Sequence, residues 1–483
     1  MHSFYEVVIP RLNGRDIRRD FKYYRRLVKK GVAGFIVFGG ELEEVRSYIQ
    51  RLQDEAAMPL IIASDLERGL GQQLKGGTHF PPAMALAKAF RNIEAQGKRG
   101  LPVIRRSFRA LAEEAAYAGI NTIFAPVLDI NTNPKNPIIA ARAFGEDRDT
   151  VSFFGCEMIR TLQRCGIAAC GKHFPGHGDT ETDSHISLPS INRGIRSLRA
   201  NELSPFKDAI AAGVKMIMAG HLKVAAIDAS GLPMSLSGKA VGLLRDEMKF
   251  KGIIITDAMN MGGLAGFSEA EASLTALESG VDLILHPSDA DGLVADMSKH
   301  CATADTSGIE DFRGRLKRSP LSCFSSAGRP DFDGHARLSE RLTREAISFS
   351  RKVGIRRKPF LVVLNDDEPA DKGKVFIERL SSLNGLKAIT IGRGSRLRKI
   401  AVPEDAFVIT AIFSETKAWK GGAGSLLWER VSYLDAKTDL FVSFGSPYLL
   451  DGLRGPKMCV YWDSAFAQEA AADAIIERSG RVF

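Results

Sequence analysis

Residues 171–185 read GKHFPGHGDTETDSH and gather groups that move protons or hold charge: Lys172, His173, His177, Asp179, Asp183 and His185, around Pro175, Gly176 and Gly178. Pro and Gly at these positions interrupt a helix, so the segment is expected to be a loop. It follows the apolar run Gly166–Cys170, which reads as a buried strand. Two chemistries suit it. His173 and His177, four apart, could share a metal on a helix face, but the Pro-Gly pair argues against that helix. Asp183-Ser184-His185 could instead be an acid/base device, the aspartate orienting the imidazole and setting its pKa near neutrality. A structural hydrogen bond accounts for any single histidine. It accounts poorly for three in thirteen residues when the whole chain has 9.

A second chemical signal is Asp257 in IIITDAMNM, residues 253–261. A carboxylate closing an apolar strand needs a partner or a role. Beside an Asp-His pair it suggests a nucleophile with its acid/base, the combination used in double displacement at an anomeric carbon. That chemistry requires no metal and no other cofactor.

The elements that must position these groups are legible as short apolar runs alternating with helix-period segments. Strands are expected near Tyr5–Ile9, Phe35–Phe38, Leu60–Ser64, Thr122–Ala125, Ile167–Cys170, Lys215–Ala219, Ile253–Thr256 and Asp282–Leu285, with helices such as Glu41–Ala56, Ser107–Ala118 and Ser204–Ala212 between them. Eight βα units in residues 1–300 imply an α/β fold, a (β/α)8 TIM-type barrel; a doubly wound sheet would close with fewer strands. In a barrel the residues just past the strands share one face. These are Asp65, Glu67 and Arg68, then Asp129, Lys172 with His173, His221, Asp257 and His286. Residues 301–352 read as a linker with a connecting helix, His335–Ser350. Residues 353–483 then carry five more strands (Phe360–Leu364, Ala388–Ile391, Phe407–Ala411, Leu440–Ser443, Lys457–Tyr461), expected as a smaller α/β sandwich domain.

Composition narrows the class. Hydrophobic residues at 45% and charged residues at 25% are ordinary for a globular protein. The net charge of +9 is spread in short clusters without interleaved aromatics, so no nucleic-acid partner is expected. The 6 cysteines form no CxxC pair, and no apolar run of membrane-spanning length or signal-like start is seen. A reduced, cytoplasmic protein without a membrane partner is expected.

KHFPGHGDTETDSH followed by TDAM resembles glycoside hydrolase family 3, in its β-N-acetylglucosaminidase branch. SDLERG at 64–69, FAPVLDINTNPKNP at 124–137, RAFGEDRD at 142–149, MAGHLKV at 218–224, LLRDEMKFKGIIITDAM at 243–259 and FGSPYLL at 444–450 extend the resemblance over most of the chain. It implies Asp257 as nucleophile and Asp183 with His185 as the acid/base dyad. It implies Asp65, Arg142, Lys172 and His173 as sugar-binding residues, with His177 shaping the loop or touching the sugar and His221 lining the same face. The implied activity is a retaining β-N-acetylhexosaminidase on small amino-sugar conjugates such as muropeptide fragments. One departure bears on sugar choice: Gln73 stands where the family commonly places an arginine, and Arg68 replaces a usual glycine nearby. A glycoside phosphorylase, a β-glucosidase or a non-catalytic sugar-binding protein are the alternatives.

Overall fold

The computed structural model describes residues 3–300, 304–316, 328–367, 371–392, 401–415, 420 and 423–479. They form two compact units: Met1–Phe80, Pro102–Asn133 and Ala143–Ala336 in the first, Pro81–Leu101, Pro134–Arg142 and Arg337–Phe483 in the second.

The first unit is a parallel barrel. Its strands in chain order are β1 (Val8–Ile9), β2 (Arg11–Asn13), β3 (Gly34–Phe38), β4 (Ile61–Ser64), β5 (Thr122–Ile123), β6 (Ala168–Phe174), β8 (Met216–Ala219), β10 (Ile253–Ala258) and β11 (Leu283–Leu285), with β7 (Ser190–Ile191) and β9 (Lys223–Val224) as a separate ribbon. Every neighbouring pair in the large sheet is parallel. β1 pairs with β11 and β2 with β3, and only Pro10 separates β1 from β2. The first chain segment therefore joins both ends of the sheet, and the ring has the eight positions expected of a (β/α)8 barrel. Proline cannot donate a ladder hydrogen bond, which is why the segment changes partner there. Tyr5–Val7, expected as strand, belongs to a 3₁₀ turn, Phe4–Val7. Ser3 and Glu6 close it with a capping box.

Strand β6 runs through Phe174, so Lys172 and His173 belong to the strand and not to a loop. Lys172 N–H donates to Pro126 O at 3.1 Å, and Leu128 N–H donates to Lys172 O at 2.6 Å. Polar residues can continue this buried strand because each has a charged partner, described below.

The stretch read as a linker carries a helix, Ser307–Arg315, whose Arg313 Nε donates to Pro59 O at 2.9 Å. The connecting helix spans Phe332–Ala346, earlier than expected, and Ser348–Phe349 is instead strand β12. Residues 301–303 and 317–327 of this stretch, with Cys301 and Cys323, lie outside the described residues; Cys156, Cys165, Cys170 and Cys459 are free thiols.

His335 on that helix lies 2.8 Å from the buried carboxylate of Glu114 and 3.4 Å from Glu113. Burial works against its protonation, but the two carboxylates hold its pKa up to about 9. A raised pKa stabilises the fold fully below the unfolded value of 6.5 and less as pH climbs through about 9. The melting-temperature gap between the wild type and His335→Gln is therefore expected to be widest in mildly acidic buffer and to close between pH 6.5 and about 9. Thermal melts across that window check it.

The second unit holds a six-stranded sheet in the order β12-β17-β16-β15-β13-β14, comprising β13 (Pro359–Asn365), β14 (Lys387–Ile391), β15 (Phe407–Phe413), β16 (Leu440–Ser443) and β17 (Lys457–Cys459). All pairs are parallel except β12 with β17. Alternate residues of β13 enter two separate cores: Leu361 and Val363 pack with Phe376, Phe413 and Ile475, while Phe360, Val362 and Leu364 pack with Leu427, Val431 and Leu434. Both faces are covered, as an apolar parallel strand requires.

Candidate active site

The barrel topology brings the strand-end polar residues to one face. From β4 come Asp65 and Glu67, and from β6 comes Lys172. The ammonium of Lys172 is 3% exposed and lies 2.6 Å from Asp65 Oδ1 and 2.7 Å from Glu67 Oε1. A buried lysine needs such pairing. Glu67 carries part of it, leaving the more open Asp65 able to accept from a ligand as well.

Asp129, which follows β5, organises the next two histidines. It is fully buried; Oδ2 lies 2.7 Å from His173 Nδ1, and Oδ1 accepts from the backbone N–H of His173 (3.2 Å) and of His177 (2.7 Å). Burial alone would raise its pKa, but His173 and the His177 amide hold it below the usual carboxylate range. With Nδ1 on a carboxylate, His173 is left to present Nε2. His177 is buried, its Nδ1 is 2.8 Å from Thr180 Oγ1, and burial drives its pKa down to about 4. The Nδ1 atoms of the two rings thus turn to different partners. Gly178 is dictated by space, since a Cβ there would lie 1.7 Å from Ile130 O.

Asp183 and His185 form the expected pair. The aspartate is buried; its Oδ1 is 2.8 Å from His185 Nδ1 and accepts His185 N–H at 2.9 Å, while the imidazole keeps partial exposure. Held at Nδ1 by the carboxylate, the ring has a fixed orientation, as an acid/base imidazole needs.

Asp257 sits at the end of β10, its Oδ1 accepting from Ala258 N–H at 2.8 Å. Burial would raise its pKa, but the nearby His173, His221 and His185 bring it down to about 2. It is an ionised carboxylate among histidines. His221 follows β8 and is fully buried, with Nδ1 2.7 Å from Ser235 Oγ and Nε2 donating to Ala258 O at 3.0 Å. Both ring nitrogens thus have protein partners, and the ring holds the backbone carbonyl beside Asp257. His286, after β11, is held near pKa 4 by burial, and its ring lies 5.6 Å from that of Phe38.

Gln73 Nε2 reaches Asp65 O at 3.4 Å, so this side chain lies by the β4 strand end. Arg68 N–H donates to Gln72 Oε1 at 2.9 Å in the same turn. Arg142 belongs to the second unit, in the turn Ala140–Arg142, where Nη1 donates to Ile138 O at 3.0 Å. Among the described residues, the grouping of acidic and metal-ligating side chains close enough to hold an ion is Asp367, Glu415 and Asp463 of the second unit. Lys372 ion-pairs with all three, and Lys420 pairs with Asp367. Glu67 and Asp129 were expected at the strand ends, while Ser235, the partner of His221, carried no signal in the sequence.

The family model for the glycosyl hydrolase family 3 N terminal domain matches residues 11–308. The chain is 32% identical over 250 residues to Beta-hexosaminidase A of Pseudoalteromonas piscicida, covering 49% of this chain and 41% of that protein. It is 34% identical over 255 residues to the Beta-N-acetylglucosaminidase/beta-glucosidase of Cellulomonas fimi, covering 50% and 43%. The chain thus spans less than half the length of these relatives. A solved glycoside hydrolase family 3 beta-N-acetylglucosaminidase from Paenibacillus sp. str. FPU-7 superposes with a TM-score of 0.79 at 26% identity, covering 99% of this chain and 96% of that one.

Proposed function

Because the chain belongs to glycosyl hydrolase family 3, we propose that it is a retaining β-N-acetylhexosaminidase that removes terminal β-GlcNAc-type residues. One observation carries this reading: an ionised carboxylate, Asp257, lies near an imidazole, His185, that is held at Nδ1 by Asp183. The carboxylate attacks the anomeric carbon while His185 Nε2–H protonates the departing oxygen. His185 then takes a proton from water, which attacks the same carbon and frees Asp257. Asp65, Lys172 and His173 hold the sugar, and His177 shapes the loop beneath it. Muropeptide-type fragments in a bacterial cytoplasm suit the reading, since the relatives are bacterial hexosaminidases; no helix among the described residues is long and apolar enough to cross a membrane.

A second reading follows from the imidazole. A neutral acid/base adds no negative charge near the leaving group, so phosphate could replace water as the acceptor. Release of aryl alcohol from aryl β-GlcNAc and aryl β-glucoside, each with and without phosphate, decides both points. Hydrolysis of the GlcNAc substrate without phosphate supports the proposal. Turnover only with phosphate, or only of the glucoside, refutes it.

Gln73 tunes sugar binding. An amide makes neutral hydrogen bonds where a guanidinium makes charge-assisted ones, roughly twice as strong. Gln73→Arg is expected to lower KM for aryl β-GlcNAc with kcat unchanged, the pattern of uniform binding. Steady-state kinetics beside Arg68→Ala check it: a raised KM in Gln73→Arg would mean that Arg68 already supplies the cation.

A further inference from the structure

The acid/base loop and the nucleophile strand are joined by two backbone amides. After Asp257 the chain turns back on itself: Ala258 O accepts from Met261 N–H at 3.2 Å and from the buried His221 ring at 3.0 Å. That turn aims the next two amides at the other catalytic loop. Gly262 N–H donates to His185 O at 3.1 Å, and Gly263 N–H donates to Ser184 O at 3.0 Å.

A side chain is excluded at Gly262 and would be tight at Gly263. A Cβ on Gly262 would lie 2.5 Å from Ile186 O and 2.7 Å from His185 O. One on Gly263 would lie 3.0 Å from His221 Cβ and 3.2 Å from Ser184 O. The first pair of contacts is to backbone, so relief requires the loop itself to move. Past the buried Asp183 and Ser184 the loop comes to the surface. Ile186 is 52% exposed, and the N–H groups of Ile186 and Ser187 bond back to Asp183 O within the loop.

We propose that Gly262 and Gly263 are positioning residues that clasp the acid/base loop onto the strand carrying the nucleophile, setting His185 at its working distance from Asp257. This rests on the hydrolase reading of the same site. Neither glycine touches substrate; both act through the backbone of residues 184–186. Because the clasp places the proton donor and leaves Asp257 alone, its loss falls on proton delivery.

The test is Gly262→Ala in the full chain, assayed on aryl β-GlcNAc substrates with leaving groups of graded acidity, with Gly266→Ala as control. A Cβ on Gly266, in the same connection, meets nothing within 4 Å. A misplacement near one ångström costs roughly 10- to 100-fold. That loss is expected in the first chemical step on poor leaving groups, with the pre-steady-state burst from the dinitrophenyl glycoside nearly preserved and Gly266→Ala close to wild type. Equal loss of the first step on all leaving groups, or no loss in a folded Gly262→Ala protein, overturns the proposal. If Gly262→Ala does not fold, the milder Gly263→Ala is judged by the same criteria, and failure of both to fold also overturns it, since the pair would then be core. A wild type that cleaves neither aryl β-GlcNAc nor aryl β-glucoside refutes the hydrolase reading itself. A wild type that turns over, with unchanged leaving-group dependence in the variants, refutes the clasp alone.

Discussion

Asp257→Ala is expected to remove turnover of aryl β-GlcNAc, by about 10⁴-fold or more, the scale on which covalent catalysis depends on its nucleophile. The side chain has a low pKa because three histidines surround it, and it holds no strand or helix together beyond the bond to its neighbouring amide. The melting temperature should therefore stay near that of the wild type while activity vanishes. The pKa of about 2 adds a second check. Asp257 stays ionised through the acidic range, so a fall in wild-type kcat/KM between pH 4.5 and 7 must come from another group. Near wild-type activity in the folded variant would exclude Asp257 as nucleophile.

His185→Ala is expected to cost about 10²- to 10⁴-fold, the usual worth of a general acid, on substrates whose leaving oxygen needs a proton. On a dinitrophenyl glycoside, which departs without one, the first chemical step should be nearly intact, and glycosyl-enzyme should accumulate because its hydrolysis still lacks a base. Asp183→Ala should behave in the same direction, since its carboxylate acts through the ring it holds at 2.8 Å. Pre-steady-state bursts and leaving-group series measure both. Equal losses on good and poor leaving groups would indicate that the pair binds or supports structure instead.

The barrel was legible because each strand is an apolar run punctuated by helix-period segments, as at Gly34–Phe38 and Met216–Ala219. Asp257 and the Asp183–His185 pair were legible because a charged residue ending such a run, or two titratable residues two apart in a Pro/Gly-rich segment, stand out locally. What escaped depends on distant partners. Lys172 and His173 continue a buried strand because Asp65, Glu67 and Asp129 neutralise or bond them from other strands. No local pattern contains that information. The strand-end place of His221 is legible, but its partners Ser235 and Ala258, 14 and 37 residues away, are not. At the start of the chain, the capping pair Ser3 and Glu6 overrode an apolar run that reads as strand.

The break at Pro10 also bears on how the barrel is made. Val8 pairs with Ile284, while Arg11, three residues later, pairs with Ile36. The first segment can find one neighbour early in synthesis but must await the other until residues near Leu285 have left the ribosome. At translation rates of about 5–20 residues per second that interval is roughly a quarter-minute to a minute. During it the nascent sheet has an open edge at each end, the condition that invites pairing with other chains. Ring closure is thus a late, long-range event, and a nascent chain stalled before Leu285 should bind chaperones that one released beyond it does not.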